Sequence, residues 1–315
     1  MLLHRLTYWA LLPFLYLMAA LPLWLIYALS DLLFVLVYRL LGYRRKVVRQ
    51  NLARVFPQKT VAERRGIERR FYAYFIDMLL ESLKMHGMSP AQILERCQVL
   101  TPEVPDGFFD NGQSIIIVTG HYGNTEWAGA AMSLSVKHPL YLTYAPFRNP
   151  YLDAWLRRSR ERFGSQMVPI DEVLRTLVKH KQEQRCTAMI FSADQMPHPE
   201  KVYWMPFLGQ ETAVYWGVEK IARKFDQPVV FGYARRVGRG RYEIRMEVAC
   251  AHSAQVPTGY ITEAHTRALE QQILHYPDTW YWTHKRWKHH AHQQAYKAYF
   301  YQHVCPQNKP PQEVA

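Results

Sequence analysis

Residues 114–129 read SIIIVTGHYGNTEWAG. Ile115, Ile116, Ile117 and Val118 form a short unbroken β-branched run, the pattern of a strand buried on both faces. Thr119 and Gly120 end it, and Asn124 is a good N-cap for a helix starting just after. A buried strand feeding a helix through a short loop is the building unit of an α/β sheet.

The rest of the chain repeats that unit. Strand-like runs fall at 114–118, 140–144, 187–192, 228–235 and 242–248, and helical periodicity at 60–86, 151–163, 173–181 and 216–225. The last two strands meet through Val237, Gly238, Arg239 and Gly240, a turn suited to an antiparallel hairpin. The expected fold is therefore α/β, with a mixed, largely parallel central sheet flanked by helices.

His121 follows the strand directly, and ligands gather where the strands of open α/β sheets end. Glu126 falls in the first turn of the next helix, where the helix dipole favours a carboxylate. On one continuous helix these two would lie about 140° apart. They meet only if His121 stays in the loop, with Gly120 and Gly123 supplying backbone freedom. Glu126 is then expected to hold the imidazole tautomer and stabilise its protonated form, with His121 as general base on a hydroxyl and backbone amides near Gly123 as oxyanion donors. Asp194 and Gln195 follow a strand and are expected at the same end of the sheet. Asn124 and Trp127 could shape the pocket or serve as a cap and a packed aromatic.

The first 59 residues have a different character. Residues 8–29 carry no charge and are long enough to cross about 30 Å of hydrocarbon, although Pro13 and Pro22 would kink such a helix. A second apolar stretch, 32–38, is too short to span alone. Arg44, Arg45, Lys46, Arg49 and Arg54 follow, the signature of a flank on the cytoplasmic side that suits anionic headgroups. The expected organisation is a membrane-anchoring helical segment over 1–59, a catalytic domain over 60–305 and a disordered tail over 306–315.

Lys and Arg number 39 against 26 Asp and Glu, a formal net charge of +13 that calls for an anionic partner. No nucleic-acid module is recognisable. Cys97, Cys186, Cys250 and Cys305 form no C-x-x-C pair, which argues against a disulfide framework or a thiolate zinc site. The cationic and aromatic stretch of His284, Lys285, Arg286, Trp287, Lys288, His289 and His290 suits membrane or carrier-protein contact better than a metal.

Several motifs in order carry a resemblance: GYRRKVVRQNLARVFP, GHYGNTEWAG, NPYLDAWLRRSRERFG, ADQMP, MPFLGQETAVYWGVEKIARKFDQPVV and WYWTHKRWK. Together they resemble the late acyltransferases of lipid A biosynthesis, within the H-x4-D/E acyltransferase superfamily, as far as about Lys288. The resemblance implies an acyl thioester donor, usually on acyl carrier protein, and a hydroxyl of a phosphorylated lipid A precursor as acceptor. It implies no metal or redox cofactor, and a place at the bacterial inner membrane with the catalytic domain on the cytoplasmic face. His121 matches the family's catalytic histidine, and Glu126 its acidic position, where many members carry Asp. Arg148 and Arg160 are expected to contact acceptor phosphates, Arg160 because it stands at the family's R-x-R-x-G segment. A lysophospholipid, aminolipid or glycolipid acceptor is the alternative within enzymes, and a basic membrane-binding protein the alternative outside them.

Overall fold

The computed structural model describes residues 2–195 and 202–288, together with Gln302. The expected tail, His289, His290, Cys305 and the last two residues of ADQMP lie outside the described residues.

The uncharged run does not form a single span. Helix α1 (Leu2–Ala20) tolerates Pro13, but the chain breaks before Pro22, which becomes the extended N-cap of α2 (Leu23–Phe34). Proline has no N–H to donate and disfavours helical geometry in the residue before it. Helix α2 then continues through six π-helical residues, Val35–Leu40. Among the described residues, the helix long and apolar enough to cross a membrane is thus Leu23–Leu40, with a mean hydropathy of 1.8, and not 8–29.

One side of α2 is committed to the body of the protein. Ile26 is fully buried with Met18 and Leu80, and Ser30 Oγ donates to Asp77 Oδ1 at 2.6 Å. Elsewhere α1 and α2 present Leu2, Leu6, Trp9, Trp24 and Leu32 to the outside. Helix α3 (Arg45–Val55) packs on α4 (Val61–Lys84), which opens with a Thr60–Glu63 capping box. Part of the basic cluster turns inward here. Arg45 and Arg49 both reach the buried Glu68, and Arg44 donates to the Thr283 carbonyl at 3.0 Å, while Lys46 and Arg54 stay exposed.

The strands are β1 (Cys97–Val99), β2 (Ile115–Thr119), β3 (Leu140–Tyr144), β4 (Gln166–Pro169), β5 (Ala188–Ser192), β6 (Val202–Phe207), β7 (Gln210–Tyr215), β8 (Val229–Gly238) and β9 (Arg241–Cys250). Seven form one sheet in the order β1-β9-β8-β2-β5-β3-β4. Strands β8, β2, β5, β3 and β4 run parallel, and β9 turns back on β8 as the expected antiparallel hairpin. The remaining helices are α5 (Pro90–Arg96), α6 (Glu103–Asp110), α7 (Thr125–Ser135), α8 (Pro150–Glu161), α9 (Val173–Gln182), α10 (Gly217–Phe225) and α11 (Tyr260–His275).

Strand β2 explains why helices cover both faces. Ile115 and Ile117 pack into one apolar cluster with Trp127 of α7 and Ile93 of α5. Ile116 and Val118 pack into the other with Phe71 and Phe75 of α4 and Leu269 of α11. Alternating side chains of one strand thus serve two cores. Sequence reading missed β1 and β4, three and four residues at the sheet edges, and the separate β6–β7 hairpin. That hairpin turns on Leu208 and Gly209, both at positive φ (54° and 72°), as a two-residue hairpin turn requires.

Candidate active site

Strands β2 and β5 lie side by side with Thr119 in register with Ser192. The Ala193 amide extends the ladder by one bond to the Thr119 carbonyl, 2.9 Å. Two residues beyond each strand end, the chain therefore delivers His121 and Asp194 to the same place. His121 Nδ1 lies 2.6 Å from Asp194 Oδ1, and Trp280 Nε1 donates to Asp194 Oδ2 at 2.8 Å. A Cβ at Gly120 would stand 2.8 Å from the Leu269 side chain, so glycine lets α11 pack close against the end of β2.

An ionised carboxylate only accepts hydrogen bonds, so Nδ1 carries the ring proton and Nε2 keeps its lone pair. The His121 side chain is 32% exposed and Asp194 only 2%. Burial by itself would pull the imidazole pKa down; the charge and hydrogen bond of Asp194, helped by the charge of Glu126, more than offset this and raise it above the ordinary value. Burial likewise opposes ionisation of Asp194, but His121 and the Trp280 donor outweigh it and bring the carboxyl to about 2.

Glu126 does not hold the imidazole, as the five-residue spacing had suggested. It sits in the first turn of α7 and faces α8, where Arg160 grips it with two bonds, Nε to Oε2 at 2.7 Å and Nη2 to Oε1 at 2.6 Å. The tautomer partner is Asp194. Glu126 acts on the ring through its charge alone, and two of Arg160's five N–H donors are spent on a carboxylate.

The loop between them is fastened from both sides. Gly123 takes φ +63°; its amide donates to the Thr279 carbonyl at 3.2 Å and its carbonyl accepts from Tyr74 at 2.6 Å, so that amide does not face an oxyanion. Asn124 caps α7 by accepting from the Trp127 amide and donates to Glu81 Oε2 at 2.9 Å. Trp127 is fully buried, with its indole N–H on the Glu81 carbonyl. Arg148 and Gln195 are exposed on loops, outside the cluster of His121, Asp194, Glu126 and Arg160. Arg286 and Trp287, read as surface residues, are buried at 2% and 6% exposure. Among the described residues no three His, Cys, Asp or Glu side chains converge as metal ligands.

Among the described residues the histidine thus keeps one basic nitrogen without a hydrogen-bond partner, with an ionised carboxylate on its other nitrogen and an acid–arginine pair whose charge reaches it. The only signal that could have paired Asp194 with His121 is their equal offset from two strands that must first be known to be neighbours. A model of the family described as bacterial lipid A biosynthesis acyltransferase matches residues 1–289, which takes in every residue of this site. Among curated proteins no match is found.

Proposed function

The chain belongs to the bacterial lipid A biosynthesis acyltransferase family, and we propose that it transfers a fatty acyl group from an acyl thioester, carried on acyl carrier protein, to a hydroxyl of a lipid A precursor. The observation that carries the mechanism is the 2.6 Å contact between His121 Nδ1 and Asp194. It leaves Nε2 as the base, on a side chain 32% exposed.

His121 Nε2 takes the proton of the acceptor hydroxyl as its oxygen bonds to the thioester carbonyl carbon. Asp194 and the charge of Glu126 support the imidazolium. When the carbon–sulfur bond breaks, the leaving thiolate takes that proton, and base and carboxylates return to their starting state. Arg160 keeps three N–H donors beyond those bound to Glu126, and it offers them to the carbonyl oxygen as negative charge develops there.

The outward apolar side chains of α1 and α2, with Lys46 and Arg54 beyond them, support attachment to the bacterial inner membrane with the catalytic domain on the cytoplasmic face. Purified protein in detergent, given carrier-protein thioesters and a tetra-acylated lipid A precursor, should yield a product heavier by one acyl chain. Transfer only from coenzyme A, or only to a lysophospholipid, would refute the donor or the acceptor. Turnover by His121→Ala would refute the mechanism.

A further inference from the structure

Asp194 also borders a small, partly enclosed cavity of about 10 Å³. Asp194, Thr119, His265, Thr266, Phe207 and Arg286 are among its lining residues. Arg286 reaches it from the C-terminal segment that follows Trp280. Arg286 is 2% exposed, and among the described residues only Nη2 has a hydrogen-bond partner, the Ala213 carbonyl at 2.7 Å; Nε and Nη1 have none there. His265, 3% exposed on α11, likewise has no partner for Nε2 among the described residues.

A buried guanidinium with two idle nitrogens, beside a buried imidazole with an idle nitrogen, is not left so by a stable fold. The volume is that of one water molecule. A chloride would stand against the Asp194 carboxylate, and a metal cation against the guanidinium, so charge leaves a neutral occupant. Water completes the set by accepting from Arg286 and donating to Asp194 and to His265 Nε2. The protonation states agree. Burial pushes His265 down to about 4, which makes it a neutral acceptor, and burial brings Arg286 to about 10, with the Asp194 charge resisting the fall.

We propose that this cavity is a buried water site, and that Arg286 acts through the water as a positioning residue that holds Asp194 against His121. The relay runs from Arg286 through the water to Asp194 and His121, and it rests on the reading of Asp194 as the orienting carboxylate. Among the described residues, the ionisable groups facing His121 are Asp194 beyond β5, Glu126 on α7, and Tyr281, its ring 6.2 Å away, with His284 on the C-terminal segment; Arg286 lines the cavity beside Asp194.

A crystal structure of the full chain, at a resolution that shows ordered water, should place one peak within hydrogen-bonding distance of both Arg286 and Asp194. A dry cavity, or Arg286 bonded directly to Asp194, overturns the water site whether or not any variant folds. Arg286→Met keeps much of the bulk and removes the charge and donors. Its kcat should fall roughly 10- to 100-fold, the usual cost of losing an orienting partner, at nearly constant KM. With the positive charge gone, the imidazolium is favoured, so the acidic limb of kcat/KM moves to higher pH; Arg286→Lys should restore the limb. A loss of folded protein alone would lower activity without moving it. If Arg286→Met does not fold, Arg286→Lys carries the test, with a reduced kcat and an unmoved limb expected and unchanged kcat overturning. Folded Arg286→Met with wild-type kinetics, beside an inactive Asp194→Asn, sinks this proposal and leaves the His121–Asp194 reading standing.

Discussion

His121 and Asp194 stand two residues past the ends of neighbouring parallel strands, and the register of Thr119 with Ser192 sets them opposite one another. Neither loop has to reach for the other. The pair is a product of sheet geometry, and Trp280 holds the second carboxylate oxygen so that the first stays aimed at Nδ1.

Asp194→Asn tests that arrangement with little change in shape. The amide can donate to Nδ1 and so select the wrong tautomer, which leaves Nε2 protonated and useless as a base. We expect kcat to fall about 10³- to 10⁴-fold with little change in KM, the scale seen when an orienting carboxylate is neutralised in this way. Stopped or radiometric assays at saturating substrate read it directly. A loss smaller than about tenfold would mean that Asp194 does not set the tautomer.

The pair also makes the pH dependence specific. The His121 pKa lies above the ordinary imidazole value, so the acidic limb of kcat/KM should fall above about 6.5. Glu126→Gln removes a charge that favours the imidazolium and should move the limb to lower pH. For stability the two members act oppositely. Asp194, lowered to about 2 in the fold, adds stability above its unfolded value that is lost as pH falls through the folded one. His121, raised in the fold, adds stability below its unfolded value that is lost as pH rises through the folded one. The difference in Tm between wild type and Asp194→Asn should therefore be widest between about pH 4 and 6.5, and a flat difference across pH would contradict the coupling.

How much of this was legible in sequence follows from range. The run Ile115 to Val118, the glycine after it and the Asn124 cap are local signals, and β2, the loop and α7 emerge where they point. The partner of His121 is 73 residues away, and its approach depends on β2 pairing with β5, which no local pattern reports. Glu126 misled because spacing along the chain says nothing of which neighbour a first-turn side chain faces; α8 supplies Arg160 from 34 residues on. Arg286 looked like a surface cation. Trp280, Trp282 and Trp287 of the same segment are all buried, and Arg286 goes inward with them.

The Glu126–Arg160 pair is open to a double-mutant cycle. Both side chains are about one-fifth exposed, at 21% and 18%, and the contact is bidentate. Glu126→Gln and Arg160→Gln should each lower kcat about a hundredfold, as loss of a preorganised donor does. The double variant should fall short of the sum by roughly 2 kcal/mol, because each single change already unmakes the same contact. Arg160→Lys should recover little, since lysine keeps the charge and loses the planar fork. Additive losses would show that the two act separately.

A last prediction concerns how α2 is held to the catalytic body. Asp77 of α4 is 3% exposed and receives Ser30 of α2 at 2.6 Å, Arg236 at 2.6 Å and Arg239 at 2.7 Å, the two arginines coming from the β8–β9 hairpin. One carboxylate thus clamps the apolar helix to the sheet. Arg236 is 19% exposed and well shielded, whereas Arg239 is 37% exposed and also paired with Asp31, so most of the loss should come through Arg236. Asp77→Ala should cost about 3 kcal/mol of unfolding free energy, because it leaves a buried cation uncompensated. Asp77→Asn should cost less, since the amide can still receive Ser30. Loosened α2 should also become cleavable near the Leu21–Pro22 break under limited proteolysis in detergent, at a protease level that leaves wild type intact. Unchanged stability together with unchanged cleavage would mean that the apolar contacts of Ile26 with Met18 and Leu80 suffice to dock the helix.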